Sequence, residues 1–200
     1  MKLIYIHKAL VAGSIISMLS VYNASADVNV QCPCDLNGDA DCTDPGEIYE
    51  NVLPEDQDIK CMHLGSGDGY ATMADGSVRY IFGFSDMTGI PTNPPPADVA
   101  EQVLSKGMLA AAYPAPVIEL NENQEFYLTL TNVGMVIRPD LFDPHTVHFH
   151  GLPNATPIFD GLPESGISIN MGSSLTYYYK LNDPGTYMYH CHVEAAEHMQ

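Results

Sequence analysis

Cationic side chains are scarce in this 200-residue chain: 7 Lys and Arg stand against 25 Asp and Glu, a formal charge of −18. So acidic a surface argues against nucleic acid and anionic membranes as partners and favours cationic substrates or metal ions. Solubility of an exported protein accounts for it equally well. Long apolar runs are also lacking; beyond the first residues nothing is suited to a stable membrane span. There is no Cys-x-x-Cys-His, so covalently attached haem is unsupported. No internal repeat and no convincing long helix can be found.

What is present is the composition of a soluble protein, 46% hydrophobic and 16% charged, with 16 Gly and 15 Pro to make turns. Residues 1–26 read as a signal peptide. Lys2 and Lys8 form a positive start, Ala9 to Val21 an apolar stretch, and Ala24-Ser25-Ala26 an A-x-A cleavage site. The mature chain would begin near Asp27, in a periplasmic or extracellular compartment, with outer-membrane association open.

Residues 27–68 form an acidic, Cys-rich extension poor in strand pattern. Cys32, Cys34, Cys42 and Cys61 lie within it while Cys191 stands apart, which suits two disulfides and one thiolate reserved for metal. Three connectivities are open, with Cys32 to Cys34 disfavoured by its strained ring. Asp35, Asn37, Asp39 and Asp41 place oxygen side chains at alternate positions, the spacing of calcium loops. However, Gly38 does not fall at the sharp-turn position, and Glu47 comes one residue late for a closing ligand. A solvated acidic loop is therefore favoured over calcium. His63, beside Cys61, reads as a surface or satisfied histidine.

Residues 69–200 read as β-sandwich. Met73 to Ser77 is a turn, Val78 to Phe84 a strand, and Ala97 to Lys106 a short helix closed by Gly107. Phe126 to Asn132 alternates in period two, pointing Phe126, Leu128 and Leu130 to a core. Ser173 to Leu181 is a further strand, Asn182-Asp183-Pro184-Gly185 a turn, and Thr186 to His192 the final strand. Short strands with turn signals fit a Greek-key sandwich.

Six of the eight histidines fall in two clusters, His145-Thr146-Val147-His148-Phe149-His150 and His190-Cys191-His192 with His198. Soft N and S donors so concentrated point to a transition metal. Side chains alternate along a strand, so His148 and His150 share one face, as do His190 and His192. Cys191 and His145 fall on the other face, with His198 returning from the loop. A closed structural zinc site needs four ligands rather than seven on two faces, whereas a His₂Cys set is the blue-copper arrangement.

The pair His-x-x-His-x-His-Gly and His-Cys-His resembles the copper signature of the multicopper oxidases. The resemblance covers roughly residues 107–200. It implies an all-β, cupredoxin-like Greek-key β-sandwich over residues 69–200, behind the acidic loop-rich N-terminal extension. It also implies type 1 copper on His145, Cys191 and His198, type 2 copper on His148, and type 3 copper on His150, His190 and His192. Two features depart from the family pattern. His198 follows Cys191 by seven residues instead of the usual five, and Gln200 arrives before the usual axial Met or Leu, so the copper loop looks cut short.

The function implied is a copper oxidoreductase. A small reducing substrate or metal ion would give electrons to the type 1 copper, and the trinuclear cluster would reduce dioxygen to water. In this family that cluster draws eight histidines from two cupredoxin domains, and this chain offers four. A second cupredoxin domain or a homo-oligomer is therefore required. Two alternatives stand beside this reading: a copper-binding electron-transfer module without oxidase activity of its own, and a nitrite-reductase-like copper enzyme.

Overall fold

The structure, a computed structural model, describes residues 28–153 and 155–194. The leader at 1–26, and His198 with the end of the copper loop, lie outside the described residues. Two sheets carry the architecture. The larger has four strands: β1 (Ile59–Thr72), β2 (Val78–Asp86), β3 (Glu125–Gly134) and β5 (Ser174–Lys180), in the order β2-β1-β3-β5. β1 pairs antiparallel with β2 and parallel with β3, and β3 pairs antiparallel with β5. The parallel step needs a crossover, and helix α1 (Val99–Gly107) lies on that connection. The smaller sheet pairs β4 (His148–Phe149) with β6 (Tyr189–His190). The fold is all-β and cupredoxin-like, with its Greek-key sandwich built from these two sheets.

β3 follows its sequence pattern closely. Phe126, Leu128 and Leu130 are wholly buried, facing the smaller sheet, and each stabilises the fold by roughly 1.5–3 kcal/mol. Their cross-strand neighbours Met62 and Leu64 on β1 and Tyr177 and Tyr179 on β5 complete that face. From the other side Val147, Phe149, Ile169, Tyr189 and Cys191 close the core. The two-residue strands carrying the metal donors are thus pressed onto a rigid aromatic floor, where Phe149 stands 5.1 Å from Tyr179 and 5.4 Å from Tyr189.

β1 is the strand the sequence conceals. The stretch 59–68 reads as part of an extension poor in strand pattern, yet it forms most of a central strand. The reason is Gly65, Gly67 and Gly69, alternate residues on the outer face of the sheet. A Cβ at Gly67 would come 2.8 Å from the Val133 side chain, and one at Gly69 would come 3.0 Å from the backbone nitrogen of Ala111. The face lacks side chains because other segments lie directly on it, so hydrophobic alternation is absent there. Val99 and Val103 of α1, with Val28, Met87, Ile90 and Val133, cover that outer side. Leu104, on the same helix, is 42% exposed.

Of the three possible cysteine pairings, the structure has Cys32–Cys61 and Cys34–Cys42. The first ties the acidic segment onto β1. Asp35, Asn37, Asp39 and Asp41 spend their side-chain oxygens on the loop's own backbone. Asp35 accepts from the amides of Gly38 and Ala40, Asn37 from that of Asp39, Asp39 from that of Asp41, and Asp41 from that of Thr43. His63 is buried rather than at the surface, its Nε2 2.7 Å from the Thr131 hydroxyl.

Candidate metal centre

β4 and β6 are short, and their register sets the site. His148 lies opposite His190 and Phe149 opposite Tyr189, while the amide of His150 donates to the Met188 carbonyl at 2.9 Å. This pairing puts Phe149 and Tyr189 into the core and turns the flanking imidazoles outward. The ring of His148 is 5.2 Å from that of His150, 5.4 Å from His190 and 5.3 Å from His192, centroid to centroid. The Nε2 atoms of His150 and His190 approach to 3.1 Å. One donor nitrogen from each of His148, His150 and His190 can be chosen so that all lie within 4.8 Å of one another.

Two rings are held by backbone carbonyls. The Nδ1–H of His148 donates to the Asp160 carbonyl at 2.6 Å, and the Nδ1–H of His190 to the Cys191 carbonyl at 2.8 Å. In each case the tautomer is set, and Nε2 is left with a lone pair to offer a metal, as metal-binding histidines require. The carboxylate of Asp160 stands 3.5 Å from the same Nδ1. Asp160 can approach because Gly161 follows it. Gly161 has φ +72°, and a Cβ there would overlap the Val147 carbonyl and come 2.8 Å from the His148 nitrogen.

Sequence reasoning did not single out Asp160 or Gly161. Their signal was an Asp-Gly pair ten residues beyond the His motif, which is too common to read without the fold. Beside the imidazoles opens a groove of about 740 Å³, lined by His148, His150, Asp183, Pro184 and Tyr187 among others.

On the opposite face His145 and Cys191 meet, with Sγ 3.6 Å from His145 Nδ1. His145 is almost fully buried and is bridged to Ile169 by two backbone hydrogen bonds, of 3.0 and 2.9 Å. Below them Tyr177, wholly buried, accepts the Val147 amide at 3.2 Å. Desolvation, with a smaller contribution from Cys191, pushes its phenol up to about 12 against the lowering by the Val147 bond, so it stays protonated. Among the described residues the geometry therefore separates a four-imidazole face from a His–Cys face, joined by the single segment 190–192. Imidazole nitrogens with one thiolate are a donor set suited to copper.

A β-sandwich bearing such a split His and Cys constellation belongs to the class of copper-binding cupredoxin domains. Residues 98–200, just over half the chain, match the family model described as multicopper oxidase. The chain belongs to the multicopper oxidase family. It is 31% identical over 102 residues to multicopper oxidase MmcO of Mycobacterium tuberculosis, covering 50% of this chain and 19% of that protein. It is 38% identical over 85 residues to iron transport multicopper oxidase fetC of Epichloe festucae, covering 40% of this chain and 12% of that one. Among solved structures it is similar to blue copper oxidase from Nitrosomonas europaea, with a TM-score of 0.49 and 25% identity over 70% of this chain and 35% of that chain. The chain spans about a fifth or less of the length of the curated relatives it matches.

Proposed function

We propose that this chain carries a copper-binding domain of an oxidase. His145 and Cys191, with His198, bind a type 1 copper. His148 binds the type 2 copper, and His150, His190 and His192 bind the type 3 pair. The observation that carries the reading is the convergence of the His148, His150 and His190 nitrogens on one face while Cys191 meets His145 on the other. Copper held there supplies the one-electron chemistry that takes electrons from a small reducing substrate or metal ion to dioxygen, which leaves as water.

The chain's own residues do the positioning. Asp160 and the Cys191 carbonyl hold the tautomers of His148 and His190. The aromatic floor of Phe149, Tyr179 and Tyr189 keeps water from beneath the histidines. The segment 190–192 gives the two faces a covalent path of one residue on either side of Cys191. The acidic surface suits a cationic donor, and the iron-transport name of the fetC relative agrees with a metal ion as the reducing substrate.

Four cluster histidines are half of the family's set, so a second cupredoxin domain or a second copy of the chain completes it, seated over the groove beside His148 and His150. The domain division proposed is a leader over 1–26, an acidic extension over 27–68 and a cupredoxin domain over 69–200. The middle boundary falls within β1, so the extension is built into the sheet rather than hung from it. Export rests on the leader; among the described residues no helix is long and apolar enough to cross a membrane. Calcium at Asp35, Asn37, Asp39 and Asp41 is not part of the proposal, since those oxygens cap their own loop.

Copper loading of the full chain tests the reading. A strong visible thiolate-to-copper band is expected, and Cys191→Ser should abolish it without changing the far-UV circular dichroism. A band that survives the substitution would refute the type 1 assignment. Oxygen uptake with a reducing substrate separates an oxidase from the second reading, a copper-binding electron-transfer module, which the half-set of histidines favours for the isolated chain.

A further inference from the structure

The two disulfides of the N-terminal segment lie against one another. Cys32 is bonded to Cys61 and Cys34 to Cys42, yet the Cys32 sulfur also stands 3.5 Å from that of Cys34 and 3.2 Å from that of Cys42. All four sulfurs lie within 4.8 Å of one another. Two staples have no need to touch; four sulfurs meeting at one point is the arrangement of a metal cage. Cys34, Cys42 and Cys61 are buried. A cavity of about 80 Å³ reaches the group, lined by Cys42 and Cys61 together with Asp41 and Lys60. It gives an ion a way in.

We propose that, once its two disulfides are reduced, this segment presents Cys32, Cys34, Cys42 and Cys61 as a tetrathiolate site for a thiophilic d¹⁰ cation, Zn(II) or Cu(I). Each disulfide takes two electrons and two protons from one equivalent of a dithiol, which is itself oxidised to a cyclic disulfide. The four thiols formed then release their protons as the cation binds. A tetrahedral Zn–S distance of about 2.3 Å sets neighbouring sulfurs roughly 3.8 Å apart. The two non-bonded contacts, 3.2 and 3.5 Å, already lie a little under that spacing, and once reduced the bonded pairs open toward it by side-chain rotation. Asp41 draws the cation toward the opening, while Lys60 offsets the negative charge of the thiolate complex. Disulfide and metal exclude one another at these sulfurs, so the segment is closed either by two covalent bonds or by one ion. The Cys-x-Cys spacing of Cys32 and Cys34 is tighter than the usual spacing of structural zinc ligands, so the group emerges from the fold.

The test uses the full chain carrying Cys191→Ser, so that thiolate chemistry at the other centre is silent. After anaerobic reduction with a phosphine, Co(II) should bind at one ion per chain, with thiolate-to-cobalt charge transfer and tetrahedral ligand-field bands, and Zn(II) should displace it. Alkylation should modify four cysteines in the reduced chain and none after Zn(II) is added, and the unreduced chain should take up nothing through sulfur. Parallel anaerobic titrations with Zn(II) and Cu(I) assign the ion. Absence of the charge-transfer band would overturn the proposal, as would its persistence after further substitution of Cys34→Ser and Cys42→Ser. A reduced chain that loses its β-sheet dichroism and does not recover it with either ion would overturn it as well.

Discussion

Replacing Gly161 with alanine separates backbone strain from steric overlap at the metal site. At φ +72° a Cβ meets the left-handed cost of an L-residue, about 1–2 kcal/mol. The same Cβ would overlap the Val147 carbonyl and press on the His148 nitrogen at 2.8 Å. Because the obstacle is backbone, either the 160–161 turn or β4 must shift by roughly 1 Å, an overpacking cost of about 1–3 kcal/mol. That shift also breaks the 2.6 Å bond from His148 to the Asp160 carbonyl, worth about 0.5–1.5 kcal/mol. The expected total is about 2.5–6.5 kcal/mol of lost stability, together with weaker copper binding, because His148 is no longer held in one tautomer. Gly76 supplies the control: its φ is +82°, but a Cβ there meets nothing within 4 Å. Gly76→Ala should therefore cost only the conformational part, about 1–2 kcal/mol, and leave copper affinity unchanged. Urea unfolding and copper titration of both variants make the comparison. Equal destabilisation by the two, or unchanged copper binding in Gly161→Ala, would refute the reasoning.

Other outcomes can be stated more briefly. Leu128→Ala removes a wholly buried side chain from the floor beneath the site and should cost about 2–5 kcal/mol by chemical denaturation. Removing the Cys32–Cys61 disulfide by replacing both residues with alanine should cost about 3–4 kcal/mol, the chain-entropy value for a sequence separation of 29. Acidification should weaken the fold through His63, which burial above all, aided by Lys106 and opposed by Asp86, lowers to about 4. The unfolded chain takes up this proton more readily. Stability is therefore complete above about pH 6.5, falls as pH drops below it and levels near pH 4, with a loss of about 3 kcal/mol. His63→Leu should remove this part of the acid sensitivity, read from unfolding curves at neutral and mildly acidic pH.

Much of the architecture could be read directly. Phe126, Leu128 and Leu130 alternate because one face of β3 meets the apolar core while Thr129 and Thr131, buried on the other, pair their hydroxyls with Thr176 and Ser174, and the turn at Met73 to Ser77 closes where its Asp and Gly place it, with the Met73 amide on the Ser77 carbonyl. β1 escaped because its outer face carries glycines, whose missing side chains accommodate another segment of chain rather than record a hydrophobic pattern. The strands expected to carry the metal donors proved far shorter than their sequence patterns, two residues each. Their conformation is set by packing on Phe126, Tyr179 and Phe84 more than by their own ladder.

The sequence by itself determined the donor inventory and its division into two faces, because strand alternation follows from backbone geometry wherever the chain is extended. Which imidazoles converge was decided by the tertiary structure, through the pairing of His148 with His190 and the carbonyl of Asp160 brought in by Gly161. The cysteine pairing was decided there too. Contacts between residues far apart in the chain depend on packing, and no local pattern records them.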